Sequence, residues 1–385
     1  MAPQPAPLMA RQPLSTIYTL CYIATILARI PYWTLKFGLF SSLRPVPTWT
    51  LKQSLMVTLT KVLVHMACVV QKPVLLSLEP GKEKENFCVA NPASKADYVG
   101  PLMTSAVSPA PIGITCFSRP EAPATTTTMD EKQQSSMVML HVHGGGFVIG
   151  DGRAAQMGYG ASMLLKHAGV RCVYCPQYRL ACRPDLVPFP GALQDVLTAY
   201  LHLVRQLQIP AGNIVLSGDS AGANLVIGLL RYLVEYPSDA VPLPHSAVLV
   251  SPPGPRRHVE PALQHGHLTP SFVRWGAAAY SRLVPASDPY ISPLDHPFVT
   301  PVPMFVNLGA AEILEVDGAR WVREMQKVTR EVGGKGGVKK NDLELNYEDG
   351  APHDTLLVGN NLGWEDSVRE VTTKIGEFIR RKSLV

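Results

Sequence analysis

The hydrophobic positions of the first 80 residues recur at helical intervals. From Thr48 to Val69, Leu51, Leu55, Leu59, Val62, Leu63 and Met66 follow at three- and four-residue steps, with Lys52 and Lys61 off that face. This predicts an amphipathic helix. Upstream, a Pro-rich start reads as frayed to about residue 13, and Gln12 to Ala28 is uncharged and apolar from Leu14, flanked by Arg11 and Arg29. Three readings of this stretch stand side by side: a cap helix over a site, a helix lying in a membrane interface helped by Tyr32, Trp33, Lys36 and Phe37, and a bilayer span, which needs about 20 predominantly apolar residues. Arg-Ile-Pro-Tyr-Trp after the apolar part is not a signal-peptide cleavage site. Pro45-Val-Pro47 separates the two helical patterns.

Residues 78–135 are mixed, with Ile114–Phe117 strand-like and Ala122–Ser136, which holds a Thr run, read as a loop. After Met137 the period alternates. Strand patterns at Met137–His143, Val170–Cys175, Asn213–Ser217, Ala247–Ser251, Met304–Leu308 and Leu343–Tyr347 alternate with helical patterns at 154–168, 191–207, after Ser220, and 366–381. Strands alternating with helices predict an α/β fold with a mainly parallel sheet covered on both faces. The fifty or so residues between Ser251 and Met304 hold Pro252-Pro-Gly-Pro and a helical pattern near 270–283. So long a connection is usually functional. The chain divides into a helical cap segment at 1–80 and a main domain at 81–385, with a further cap insertion at about 252–300.

The Asn213–Ser217 strand and the Ala-Leu-rich helix after it enclose Gly218-Asp219-Ser220-Ala221-Gly222. In this G-x-S-x-G context a serine sits on a sharp strand-to-helix turn, where side chains at the outer glycines would collide with the crossing elements. Its hydroxyl projects above the sheet edge at the positive end of a helix dipole. Strand Met137–His141 runs into His143-Gly144-Gly145-Gly146-Phe147, whose glycines leave backbone N–H groups uncovered. With the N–H of Ala221 these can bind an oxyanion.

Four blocks carry a resemblance: His143-Gly-Gly-Gly-Phe147; Tyr178-Arg-Leu-Ala181 with Pro188-Phe-Pro190 and Asp195; Gly218-Asp-Ser-Ala-Gly222; and Asp288-Pro-Tyr-Ile-Ser-Pro293. The chain resembles the hormone-sensitive-lipase-like group of α/β-hydrolases, and within it a fungal-type member. The resemblance covers residue 138 onward, and Cys182 stands where the family usually has proline. It implies an α/β-hydrolase fold and a triad in the order serine, acid, histidine. In that pattern Glu312, after strand Met304–Leu308, stands where the family has aspartate; Asp317 is the runner-up. His353 follows the last strand and is the candidate base. His65 lies on a helix, His143 supports the oxyanion loop, and His258, His265 and His267 belong to the cap. Asp354 is expected to point away from His353.

Bulk properties change this picture little. Apolar content is 46%, charged content only 17%, and 35 prolines suggest long ordered loops. The net charge of +5 is spread too thinly to argue for nucleic acid. Seven cysteines in no framework spacing, and no Asn-x-Ser/Thr sequon, favour a reducing intracellular setting. Cys172-Val-Tyr-Cys175 reads either as a redox or zinc pair or as two small residues on a buried strand. The chemistry calls for no cofactor and no metal.

The expected function is a carboxylic-ester hydrolase acting on a hydrophobic small molecule, with Ser220, Glu312 and His353 as triad and Gly145, Gly146 and Ala221 as oxyanion donors, supported by His143, Gly144, Gly218, Asp219 and Gly222. A second reading keeps the triad but places it in fungal secondary metabolism, as deacylation, chain release, condensation or cyclisation. A third is a small-molecule receptor; plant gibberellin receptors resemble this family but lack the histidine. Membrane-surface association through residues 14–43 is a separate expectation.

Overall fold

The computed structural model describes residues 7–118, 136–252, 265–332 and 337–383. Most of the expected Ala122–Ser136 loop, residues 253–264 of the cap insertion, and His258 lie outside them.

One eight-stranded sheet organises the main domain. Its strands are β1 (Phe87–Ala90), β2 (Ile112–Ser118), β3 (Val138–Val142), β4 (Cys172–Gln177), β5 (Ile214–Asp219), β6 (Ser246–Val250), β7 (Met304–Gly309) and β10 (Leu343–Glu348), in the order β1-β2-β4-β3-β5-β6-β7-β10. From β4 to β10 all neighbours are parallel, while β2 runs antiparallel to β4, and β1 to β2. A separate hairpin pairs β8 (Thr329–Val332) with β9 (Gly337–Lys340). The periodicity of the sequence had pointed to neither β1 nor this hairpin; both are four residues long, too short for a period-two pattern to stand out.

The central strands β3, β4, β5, β6 and β7 are buried on both faces, and alternate residues feed two cores. Val138, Leu140, Val142, Ile214, Leu216, Ala247, Leu249, Met304, Val306 and Leu308 enter one. Met139, Val215, Val248, Val250 and Phe305 enter the other. This is why these strands read as continuous apolar runs. Cys172 lies in the first core and Cys175 in the second, on opposite faces of β4. Their C-x-x-C spacing therefore cannot form a pair, since side chains three apart on a strand point opposite ways. All seven cysteines are free thiols.

Helices α4 (Gly191–Leu201), α5 (Ala221–Glu235) and α7 (Glu315–Lys327) pack on the first face, and α3 (Ala154–Met163), α8 (Thr355–Leu362) and α9 (Glu365–Ser383) on the second. Cap helix α6 (Pro270–Tyr280) lies over the carboxyl ends of the strands, its start capped by the Thr269 hydroxyl. Near the N-terminus, α2 (Leu51–Val70) starts at a reciprocal capping box between Thr50 and Gln53 and touches α6 and α8. Helix α1 (Leu14–Leu39) packs along α2. It continues beyond the charge-free stretch that ends at Ala28, through Arg29 and Pro31 to Leu39. The charge is tolerated because Arg29 is exposed, and the inward stripe continues at Ile30, Trp33 and Phe37.

Candidate active site

The parallel strands bring their carboxyl ends to one sheet edge, and the chemistry-bearing residues follow β3, β5, β7 and β10 there. Ser220 lies between β5 and α5 with φ 49° and ψ −119°. A non-glycine residue in such a conformation stores about 1–3 kcal/mol of strain, held only where the surroundings over-determine it. They do so here: the Ser220 N–H donates to Val250 O at 2.8 Å. A Cβ at Gly222 would stand 1.9 Å from Val142 O, and one at Gly218 2.5 Å from the Gly222 carbonyl carbon. The crossing of strand and helix is tight enough to exclude any side chain at either glycine.

The loop after β3 turns through three successive positive φ values, 107° at Gly145, 60° at Gly146 and 64° at Phe147. The Gly144 N–H is engaged, donating to Asp219 Oδ2 at 2.7 Å. That bond ties the glycine loop to the turn at Ser220. It leaves Gly145, Gly146 and the first-turn N–H of Ala221 as the donors without an acceptor among the described residues. His143 is buried beneath the loop, stacked on Tyr178 at 4.2 Å, with Nδ1 donating to Gly144 O at 2.7 Å. The Tyr178 hydroxyl donates to His143 O at 3.0 Å. The neighbouring Arg179 clamps buried Asp195 through its backbone N–H, Nε and Nη2.

His353 follows β10, and its Nε2 lies 2.8 Å from Ser220 Oγ. Its Nδ1 lies 2.5 Å from Glu312 Oε2. Glu312 is wholly buried, and its Oε1 accepts from the Gly309 N–H at 3.1 Å. Burial alone would lower the His353 pKa; the hydrogen bond and charge of Glu312, with Asp354 behind, outweigh it and leave the pKa above the ordinary histidine value. Asp317 sits in the first turn of α7, so Glu312 and not Asp317 holds the position against Nδ1. The extra methylene of glutamate is accommodated by the turn that returns its carboxylate to Gly309. The His353 loop is itself pinned from the cap side, where Trp49 Nε1 donates to Gly350 O at 2.7 Å.

Behind the serine lies a buried polar network that the sequence motifs did not flag. His141 Nε2 stands 2.9 Å from Asp219 Oδ1, and its Nδ1 2.9 Å from Ser217 Oγ. Burial pushes the His141 and His143 pKa values down to about 4, so both rings are neutral. His141 then donates from Nε2 and accepts the Ser217 hydroxyl proton at Nδ1. Burial raises Asp219 to about 6 and Asp354 well above the carboxylate range, the latter helped by the charge of Asp219. Asp354 thus keeps its proton and shares it with Asp219. It also accepts from the Leu357 N–H at the start of α8. One signal for this network was available in the sequence: His141 and Ser217 are polar residues on otherwise apolar strands.

Above Ser220 opens a cavity of about 200 Å³. Its walls include Phe147, Leu268, Phe272, Val273, Ile291 and Leu314. Asn224 and Tyr280 also line it; Asn224 Oδ1 and the Tyr280 hydroxyl are buried with no partner among the described residues. His267 is buried nearby, its ring 6.2 Å from that of His353, and burial lowers its pKa to about 3. His65 lies exposed on α2 and His265 on the surface, far from these bonds in role. No cluster of potential metal ligands occurs among the described residues.

A family model described as alpha/beta hydrolase fold matches residues 139–336, half of the chain. The chain belongs to the alpha/beta hydrolase fold family. Among curated relatives, an acetyl-hydrolase of Streptomyces hygroscopicus is 30% identical over 195 residues, 48% of this chain and 60% of the relative. An esterase of Acinetobacter venetianus is 27% identical over 201 residues, 49% of this chain and 62% of the relative. These matches thus span about three fifths of each relative's own length. Among solved structures, the hydrolase fold is shared with EstE5 soaked with p-nitrophenyl butyrate, at TM-score 0.57 and 20% identity, covering 86% of this chain and 99% of that one. A hormone-sensitive lipase from a metagenome library matches at TM-score 0.56 and 21% identity, covering 70% and 82%.

Proposed function

We propose that this protein hydrolyses carboxylic esters with a short acyl group. The observation that carries the reading is the unbroken chain of short contacts from Glu312 through His353 to Ser220 Oγ, opening on an apolar cavity. Its size, about 200 Å³, lies below the roughly 300–1,000 Å³ of pockets that hold drug-sized ligands. It suits a small acyl group better than a polyketide-length chain, which favours simple ester hydrolysis over condensation or ring closure. The relatives named acetyl-hydrolase and esterase agree with this class.

Ser220 Oγ attacks the ester carbonyl carbon as His353 Nε2 takes its proton. The carbonyl oxygen becomes an oxyanion within reach of the Gly145, Gly146 and Ala221 N–H groups. The imidazolium, held by Glu312 at Nδ1, returns its proton to the departing alcohol. Water, deprotonated by the same Nε2, then releases the acid from the acyl-serine. Glu312 orients the ring and stabilises its charged form without itself taking the proton.

The test is a series of p-nitrophenyl esters of increasing acyl length. Acetate and butyrate should be turned over and long-chain esters should not. Ser220→Ala should abolish turnover and labelling by a fluorophosphonate probe while leaving the circular dichroism unchanged. Full turnover by a pure Ser220→Ala preparation would overturn the mechanism, and a preference for long chains would overturn the substrate class.

A further inference from the structure

Helix α1 carries two apolar stripes on opposite sides. One, at Ser15, Thr19, Tyr22, Ile26, Ile30, Trp33 and Phe37, is buried or half-buried against α2. The other, at Ile17, Leu20, Ala24, Leu27, Pro31 and Leu35, also follows three- and four-residue steps and is exposed along the whole helix. Leu20 is 64% exposed, Leu27 62% and Leu35 63%. Leu39 and Phe40 continue the apolar surface at the helix end. Monomeric soluble proteins rarely present so long a contiguous apolar surface without a partner.

The charge pattern says which partner. Residues 1–78 hold seven Lys and Arg and no Asp or Glu, whereas the remaining chain holds 28 and 30. The positive balance of the molecule therefore resides entirely in the N-terminal segment that carries the two apolar helices. Arg29 and Lys36 are seven residues apart, so they share one side of α1, between its two stripes. An exposed apolar face on a segment whose formal charges are all positive suits a lipid surface bearing negative charge. Tyr32, 61% exposed, provides the amphipathic ring favoured at such a boundary.

Lying on the surface fits better than crossing it. The charge-free run within α1, Leu14 to Ala28, rises only about 22 Å at 1.5 Å per residue, against a hydrocarbon core of about 30 Å. The other apolar helix, α2, touches α6 and α8 of the catalytic body and could not leave them to cross a bilayer. Helix α6 is also a wall of the cavity above Ser220, through Phe272, Val273 and Tyr280. The exposed stripe is thus one helix layer removed from that wall.

We propose that α1 docks this protein in the plane of an anionic lipid surface, with the Ile17–Leu20–Leu27–Leu35 stripe in the headgroup boundary and the cations of residues 1–78 held near its negative charge. The proposal does not rest on the catalytic reading, because binding is measured on the protein itself and Ser220→Ala should bind as well as the parent.

The test is flotation of the full chain with vesicles of phosphatidylcholine alone or mixed with phosphatidylserine. Binding should favour the anionic vesicles and weaken at high salt, where the Debye length falls to about 3 Å. Alkaline carbonate should release the protein. The Leu20→Glu/Leu27→Glu variant should lose binding to both vesicle types. Arg29→Glu/Lys36→Glu should lower partitioning to anionic vesicles by about tenfold or more. Met103→Glu, at an exposed apolar residue on the main domain, should bind like the parent. All these positions are exposed or half-buried, and unchanged melting temperatures report intact folds. Absence from every vesicle fraction, or undiminished binding of the Leu20→Glu/Leu27→Glu variant, would overturn the proposal. Retention after carbonate would overturn it in favour of a span. A dimer abolished by the same pair of substitutions, without vesicle binding, would assign the stripe to a second copy.

Discussion

Replacing Glu312 by glutamine changes one atom of the site and removes one charge. Glutamine keeps an oxygen for the Gly309 N–H, so the local fold has no reason to move. What disappears is the counter-ion of His353. Both side chains are almost wholly buried, Glu312 at 0% and His353 at 4% exposure, so water cannot replace it. Removing one partner of a buried ion pair typically costs about 3–5 kcal/mol. That cost falls on the imidazolium formed in the transition state, and at about 1.4 kcal/mol per decade it predicts a loss of about 10²–10⁴ in kcat. The same change removes what holds the His353 pKa up and leaves burial, which lowers it. The neutral ring is the active base, so activity is present above the His353 pKa and lost as pH falls through it. The acidic limb of kcat/KM for a p-nitrophenyl ester should therefore lie above the ordinary histidine value in the parent and shift to lower pH in Glu312→Gln. Asp317→Asn should keep both rate and limb. If Glu312→Gln retained the parent rate, or Asp317→Asn lost it, the assignment of the orienting acid would be refuted.

Two further outcomes follow from packing and titration. Gly222→Ala places a Cβ 1.9 Å from Val142 O and 2.6 Å from His143 O, contacts with backbone that cannot yield cheaply, and should cost about 3 kcal/mol or more in urea unfolding; a variant as stable as the parent would contradict the crossing geometry. The His143 pKa, lowered by burial to about 4 from the ordinary histidine value of 6.5, lends stability that is complete above about pH 6.5 and is lost as pH falls toward 4, because the unfolded chain takes up the proton first. In His143→Gln the pH slope of unfolding free energy in that window should fall by about one proton, about 1.4 kcal/mol per pH unit; an unchanged slope would show that His143 titrates normally when folded.

The parallel strands and the serine turn were readable from local pattern. A strand buried on both faces must be apolar throughout, and Gly218 and Gly222 mark a crossing where backbone meets backbone. Both facts are written in contiguous residues. The short strands β1, β8 and β9 carried too few positions to show a period. The end of helix α1 at Leu39 was not legible from the charge-free run, which stops at Ala28, because an exposed arginine interrupts the apolar pattern without interrupting the helix.

The residues around the serine divide in the same way. The types and order of Ser220, Glu312 and His353 stand in the chain, where the proposed attack by a serine hydroxyl calls for a base and an acid to orient it. Their distances, the choice of Glu312 over Asp317 against Nδ1, and the His141–Asp219–Asp354 network come from four strand ends meeting at one sheet edge. No local pattern encodes such a meeting of residues that stand from 41 to 133 and more positions apart. The two-sidedness of α1 belongs to both levels. The sequence alone determined that residues 1–78 are apolar and cationic. Only the tertiary structure decided which of the two stripes packs against α2 and which remains open, because burial is a property of the neighbour and not of the helix.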